Sequence, residues 1–304
     1  MTAAVTVRLV LVELAVGDAY GACFEFADPA VVAAGNDLSG YPPHPEHAIR
    51  PGSYTDDTQM SLAIAEAIVA GIPWTPEALA GKFVEVFKRD PRAGYTRWFH
   101  QFLTRVDSGA QFVAEISATS DKSGAAMRAA PIGVFADLSE VLARARVQAA
   151  ITHRAPEGTD PACAAALMSH YFLYRLGPKA DLGDFVQAHL GGDWAEPWHG
   201  PVGVQGSMCV RAAITAIHES TSLSDLLRRC VAYTGDVDTV GAIALAAGSS
   251  SPELDHDLPE HLRTRLENGA YGRHYLEELD RQLLAWRPAP PAGEGAGTAG
   301  RAAG

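Results

Sequence analysis

Two short acidic clusters, each opening an apolar run, constrain this chain more than any other feature. The first is Gly52-Ser53-Tyr54-Thr55-Asp56-Asp57-Thr58-Gln59-Met60, followed by Leu62, Ala63, Ile64, Ala65, Ala67, Ile68 and Val69. The second is Tyr233-Thr234-Gly235-Asp236-Val237-Asp238-Thr239, followed by Val240 through Ala247. Apolar residues at helical spacing after Thr and Asp predict a helix start, near Asp57 or Thr58 in the first case, with Ser, Thr or Asp as N-cap. Asp56 and Asp57 then sit at the positive end of a helix dipole, which favours their ionised form. If the clusters meet in space, they offer four carboxylates and at least two hydroxyls. Hard oxygen donors with no Cys or His beside them suit Mg²⁺, Mn²⁺ or Ca²⁺ rather than Zn²⁺. The expectation is a two-part metal site, binuclear.

The rest of the chain reads as helix and loop. Helical spacing covers 5–22, 59–70, 95–106, 138–151, 160–176, 183–190, 205–218 and 223–232, with a closing region 260–286 broken near Gly269 and Gly272. Thr75-Pro76-Glu77 opens a further helix in N-cap and N1 style. Gly17, Ala19, Gly21 and Ala22 are small enough to let another element approach the first helix closely. The aromatic set Trp98, Phe99, Phe102 reads as core. Residues 117–124 form a Ser/Gly-rich loop ahead of a predicted helix, a possible phosphate cradle. Pro- and Gly-rich loops span 35–53 and 191–201. No period-2 strand of useful length occurs. The reading is all-α, one compact domain over 1–286 and a disordered Pro/Gly/Ala-rich tail over 287–304.

Composition sets the outer bounds. Of 304 residues 47% are hydrophobic, enough for a sizeable core, and the net charge of −12 argues against a general binder of nucleic-acid backbones. The four cysteines, Cys23, Cys163, Cys209 and Cys230, form no CxxC pair and read as free thiols of a reducing, cytoplasmic setting. Arg8 and Glu13 interrupt the apolar start, so it is read neither as a signal core nor as a membrane span.

Several stretches, in order, resemble the ADP-ribosylglycohydrolase family. They are Gly17-Asp18-Ala19-Tyr20-Gly21 through Phe24-Glu25-Phe26, Tyr54-Thr55-Asp56-Asp57-Thr58, Ala126-Met127-Arg128 through Gly133, Thr152-His153, and Gly235-Asp236-Val237-Asp238-Thr239. The resemblance implies a compact orthogonal helical bundle with its metal site between helix N-termini and loops. It implies two Mg²⁺ ions, with Mn²⁺ an acceptable substitute, held by Thr55, Asp56, Asp57, Asp236, Asp238 and Thr239. Glu25 stands beside the metals as gate or ligand. Ser123, Gly124, Met127, His153 and Gly235 face the substrate, the loop at Ser123 and Gly124 cradling a diphosphate and His153 lying near the distal ribose or phosphate. Two departures stand out. Thr234-Gly235 replaces a double glycine, and Lys122-Ser123-Gly124 replaces Gly-Asn-Gly.

The implied reaction is hydrolysis of the ribosyl C1″ bond of an ADP-ribosylated acceptor, a protein side chain such as arginine, releasing ADP-ribose. Asp57 is the expected general base and Glu25 its competitor. Nucleic acid enters only as a modified substrate, no membrane is involved, and a monomer is expected. The alternative is an inactive ADP-ribose-binding or structural protein on the same fold. A phosphatase reading of Asp236-Val237-Asp238-Thr239 as a nucleophile motif needs a buried parallel strand before it, where Leu226 to Val231 reads as helix.

Overall fold

Runs rich in Ala, Leu, Val and Ile with few interior breakers favour helix on helix, and the computed structural model, which describes residues 10–286, shows that arrangement. In chain order the helices are α1 (Val10–Gly21), α2 (Pro29–Gly35), α3 (Asp56–Val69), α4 (Pro76–Arg89), α5 (Arg97–Arg105), α6 (Gly109–Glu115) and α7 (Leu138–Ala150). Then come α8 (Pro156–Leu173), α9 (Leu182–Leu190), α10 (Gly206–Glu219), α11 (Leu223–Ala232), α12 (Val237–Gly248), α13 (Glu260–Arg265) and α14 (Arg273–Trp286). Among the described residues β-pairing is limited to isolated bridges. Residues 5–9 of the expected first helix and the expected 287–304 tail lie outside the described residues. No described helix is long and apolar enough to cross a membrane.

Helices that are apolar all round belong in the interior. Every residue of α1 and of α12 is buried. These two form the centre of the bundle, with α3, α8, α10, α11 and α14 packed around them. Small residues make the central crossing possible. A Cβ on Gly17 would fall 2.3 Å from the carbonyl oxygen of Gly241, and one on Gly21 2.4 Å from the Cα of Asp238. The close approach predicted from Gly17 and Gly21 is therefore made by the helix that carries the second acidic cluster. Neither backbone can give way alone, so Gly21→Ala is expected to cost about 1–3 kcal/mol. That corresponds to a melting temperature lower by several degrees. An unchanged thermal transition would mean the crossing is looser than its geometry.

Two expectations change. The 117–124 loop does not lead into an α-helix. Residues Ser123–Ala125 and Ala130–Val134 form two short 3₁₀ turns instead. Pro131 lacks the N–H that a continuous α-helix would need there, and it sits at the start of the second turn instead. The loop is held by the chain before α10, through Ser123 N–H to the Val204 carbonyl (2.9 Å) and Gly206 N–H to that of Asp121 (3.1 Å). The aromatic set of α5 is core only in part: Phe102 is buried, but Trp98 is 55% exposed and stacks on Phe102 with one face.

Candidate functional site

Asp18 fixes the first cluster. Buried on α1, its carboxylate accepts from the N–H groups of Thr55 (2.9 Å) and Thr58 (3.0 Å) and from their hydroxyls at 2.7 and 2.5 Å. α3 starts at Asp56, one residue ahead of the expected start, and its N-cap Thr55 makes no side-chain cap bond. Its hydroxyl proton goes to Asp18, leaving only lone pairs for any other partner. Asp18 thus caps α3 from another helix and pins the backbone that carries Asp56 and Asp57. Gly94 seals the other side. Its φ is +101°, and a Cβ there would lie 1.9 Å from Asp56 Oδ1.

The second cluster is aimed by a sharp turn ahead of α12. Thr234 has φ +63° and Gly235 +92°. A β-branched residue such as Thr234 is strained in the left-handed region. Gly235 does not line the cleft. A Cβ there would fall 1.9 Å from the Val202 carbonyl oxygen, so its place is set by backbone packing. The turn brings the Glu25 segment in, because Phe26 N–H donates to the Gly235 carbonyl (2.9 Å). Carboxylate oxygens of Glu25, Asp236 and Asp238 then lie within 4.8 Å of one another. Asp236 Oδ2 accepts from Ser123 Oγ (3.0 Å) and from the Cys209 thiol (3.5 Å). The Thr239 hydroxyl bonds the Asp57 carboxylate, joining the two clusters, while Asp57 Oδ1 is buried with no partner.

The electrostatics oppose this assembly. Burial first, then mutual repulsion, pushes the carboxyls of Asp56, Asp57 and Asp238 well above the usual carboxylate range. Burial, then Asp236 and Asp18, pushes Glu25 up to about 7. Asp18 is also raised by burial, against the pull of its four hydrogen bonds. In the protein alone, desolvation outweighs the helix dipole expected to keep Asp56 and Asp57 ionised. Converging hard oxygens, mutual repulsion and an orphaned carboxylate oxygen fit a divalent cation.

These groups form one end of a cleft of about 420 Å³. Glu25, Asp56, Asp57, Asp236, Asp238 and Thr239 line the acidic end. Ser120, Lys122, Ser123, Gly124, Met127 and His153 line a wall, and Trp98, Phe99, Ile116 and Ser117 also face the cavity. Thr55, like Gly235, is not among the lining residues. Arg128, 1% exposed, also borders the cleft. Its guanidinium donates to Gln148 Oε1 (2.6 Å), to the Gln148 carbonyl (3.0 Å) and to the Thr152 hydroxyl (2.9 Å), and burial lowers its pKa to about 9. Thr152 Oγ, which accepts from Arg128, also lies within hydrogen-bond distance of His153 Nδ1 at 2.7 Å. Burial, then the charge of Arg128, lowers the His153 pKa to about 3 and so keeps the ring neutral.

Of the residues expected from the sequence, the structure gathers Glu25, Asp56, Asp57, Asp236, Asp238, Thr239, Ser123, Gly124, Met127 and His153 around one cavity. Sequence reasoning missed Asp18 and the buried Arg128 as supports. Their signal was a charged residue among small, apolar neighbours. All four cysteines are free and buried. The chain before Asp236 is helix α11, which removes the strand that the phosphatase reading needs.

Comparison with known proteins agrees with this arrangement. The family model described as ADP-ribosylglycohydrolase matches residues 6–291. The ADP-ribosyl-[dinitrogen reductase] glycohydrolase of Rhodospirillum rubrum is 29% identical over 281 residues, covering 84% of this chain and 87% of that protein. The ADP-ribosylarginine hydrolase Tri1 of Serratia proteamaculans is 29% identical over 159 residues, 48% of this chain and 42% of that protein. The ADP-ribosylhydrolase ARH3 of Xenopus tropicalis is 28% identical over 140 residues, 43% and 40% of the two chains. A solved structure titled ADP-ribosylglycohydrolase-related protein complex shares the fold, with a TM-score of 0.70 at 24% identity over 92% of this chain and 96% of that one. The chain belongs to the ADP-ribosylglycohydrolase family, enzymes that hydrolyse the glycosidic bond to ADP-ribose.

Proposed function

We propose that this enzyme is a Mg²⁺-dependent hydrolase that removes ADP-ribose from a modified protein side chain, arginine foremost. The observation that carries the reading is the convergence of five buried or half-buried carboxylates, from three separate segments, on one end of a single cleft. Arginine is favoured by the ADP-ribosylarginine hydrolase among the relatives. Two Mg²⁺ ions, or Mn²⁺ in their place, would be held by Asp56, Asp57, Asp236, Asp238 and Thr239, with Glu25 beside them and a lone pair of Thr55 within the same segment. Bound there, divalent ions supply Lewis-acid stabilisation and orientation of the ribose hydroxyls and of water.

The chain's own groups account for the remaining needs. Cleaving C1″ builds positive charge on the ribose, and the carboxylates that surround the acidic end oppose that charge electrostatically. Asp57 offers the partnerless Oδ1 as the general base toward an attacking water, with Glu25 the competing candidate. Gly124 and Lys122 present backbone and ammonium donors for a diphosphate, beside Ser123, whose hydroxyl is held by Asp236. His153 is held by Thr152 next to this loop, where a Cβ on Gly124 would fall 3.5 Å from its ring.

The test is release of free ADP-ribose from a panel of ADP-ribosylated arginine, serine and nucleic-acid substrates, with Mg²⁺ and with EDTA. Mg²⁺-dependent release from the arginine substrate is expected. Release from serine or nucleic acid alone would reassign the acceptor. Binding of ADP-ribose without release from any substrate would contradict the hydrolase reading.

A further inference from the structure

The peptide that joins Glu25 to Phe26 is held at both ends. Its N–H donates to the Gly235 carbonyl (2.9 Å), in the turn that carries Asp236 and Asp238. Its C=O lies 2.8 Å from Nε2 of His44, on the 36–55 loop. A carbonyl can only accept, so His44 donates through Nε2. Its Nδ1 accepts from the backbone N–H groups of Glu46 (3.0 Å) and His47 (2.8 Å). His44 is 9% exposed, and the His47 ring stacks against it at 4.4 Å. Both ring nitrogens are thus committed, and the Nε2–H tautomer is the one these three hydrogen-bond partners allow.

The same peptide is strained. Phe26 has φ +50°, a region that a bulky residue avoids. The strain does not serve to bury the ring, which is 53% exposed. Rotating this one peptide plane would return Phe26 to negative φ, but it would break both hydrogen bonds at once. Without those two bonds the backbone at Glu25 loses its anchors, and the Glu25 carboxylate lies within 4.8 Å of those of Asp236 and Asp238.

We propose that His44 is a positioning residue for Glu25: its imidazole latches the Glu25–Phe26 peptide in the strained orientation that keeps the Glu25 carboxylate on the acidic cluster. The consequence for cation binding rests on the reading of Glu25 as part of the cation site. The latch itself does not. A residue outside the lining of the cleft thereby sets where a carboxylate of the site can be.

Three variants separate the possibilities. His44→Gln keeps a donor near the position of Nε2. His44→Asn keeps an acceptor near the position of Nδ1, and so the loop turn, but cannot reach the Glu25 carbonyl. Glu25→Gln removes the carboxylate charge alone. Two readouts are needed: hydrogen exchange at the Phe26 amide in the metal-free protein, and Mn²⁺ affinity by titration. In His44→Asn the Phe26 amide is expected to lose at least tenfold in protection while the amides of α3 and α12 keep theirs. Mn²⁺ affinity should fall about as far as in Glu25→Gln, and His44→Gln should restore both. Unchanged Phe26 protection in folded His44→Asn overturns the latch. Lost protection with full Mn²⁺ affinity, where Glu25→Gln is impaired, overturns the positioning role and leaves the cation site standing. Full Mn²⁺ affinity in Glu25→Gln removes Glu25 from the cation site, and the exchange result then decides the latch by itself.

Discussion

Asp57→Asn and Asp238→Asn are each expected to lower the rate of ADP-ribose release at least about a hundredfold, roughly 2.7 kcal/mol of transition-state stabilisation. Both side chains are buried at the meeting of the two clusters, so each substitution removes a charge from the cation site without a large change in shape. The same substitutions should leave the metal-free protein folded and raise its melting temperature. Burial and mutual repulsion hold both carboxyls well above their ordinary range, so each ionised carboxylate destabilises the empty cluster. A variant that is more stable and much less active is the signature of a site that trades stability for function. Near-normal turnover in a correctly folded Asp238→Asn protein would refute the role given to that residue.

Removal of divalent cations should abolish activity and also reverse the usual effect of pH on stability. A carboxyl raised in the folded state keeps its proton when folded and gives it up when unfolded. Between the two pKa values the native state binds more protons, so stability falls as pH rises. For Glu25 the window runs from the ordinary glutamate value near 4.3 up to about 7. Asp56, Asp57 and Asp238 shift in the same direction and extend the decline. In EDTA the melting temperature is therefore expected to be higher at pH 5 than at pH 8. At pH 8, Mg²⁺ at about a hundred times its Kd should add roughly 2.7 kcal/mol, or about 5–10 °C. Thermal unfolding at the two pH values, with EDTA and with Mg²⁺, measures both effects. A melting temperature in EDTA that ignores pH, or no response to Mg²⁺, would count against a cation site built from these groups.

The helices were legible because apolar spacing and Pro, Gly, Ser and Thr punctuation mark their ends locally. Thr75 caps α4 through its hydroxyl, and Ser222 caps α11, as residues of that type do. Glycine and alanine in the first helix also announced a close neighbour, although not which one. What the sequence hid depends on distant partners. The cap of α3 comes from Asp18, 37 residues before Thr55. The 123–134 segment gives up helix for two 3₁₀ turns because Pro131 and the backbone near Val204 set its path. Trp98 follows helical spacing like its neighbours, and only the packed structure shows that it faces out. The acidic residues could be named from their clustering. Their raised pKa values could not, because burial is a property of the fold and the helix dipole alone argues the other way.

The most direct test of the central claim, that the two acidic clusters together hold divalent cations, is anomalous X-ray scattering from crystals of the protein grown with Mn²⁺. The arrangement predicts two anomalous peaks among the side chains of Glu25, Asp56, Asp57, Asp236 and Asp238, both lost in crystals of Asp57→Asn grown the same way. Absence of any peak between the clusters in a well-ordered crystal would contradict the claim.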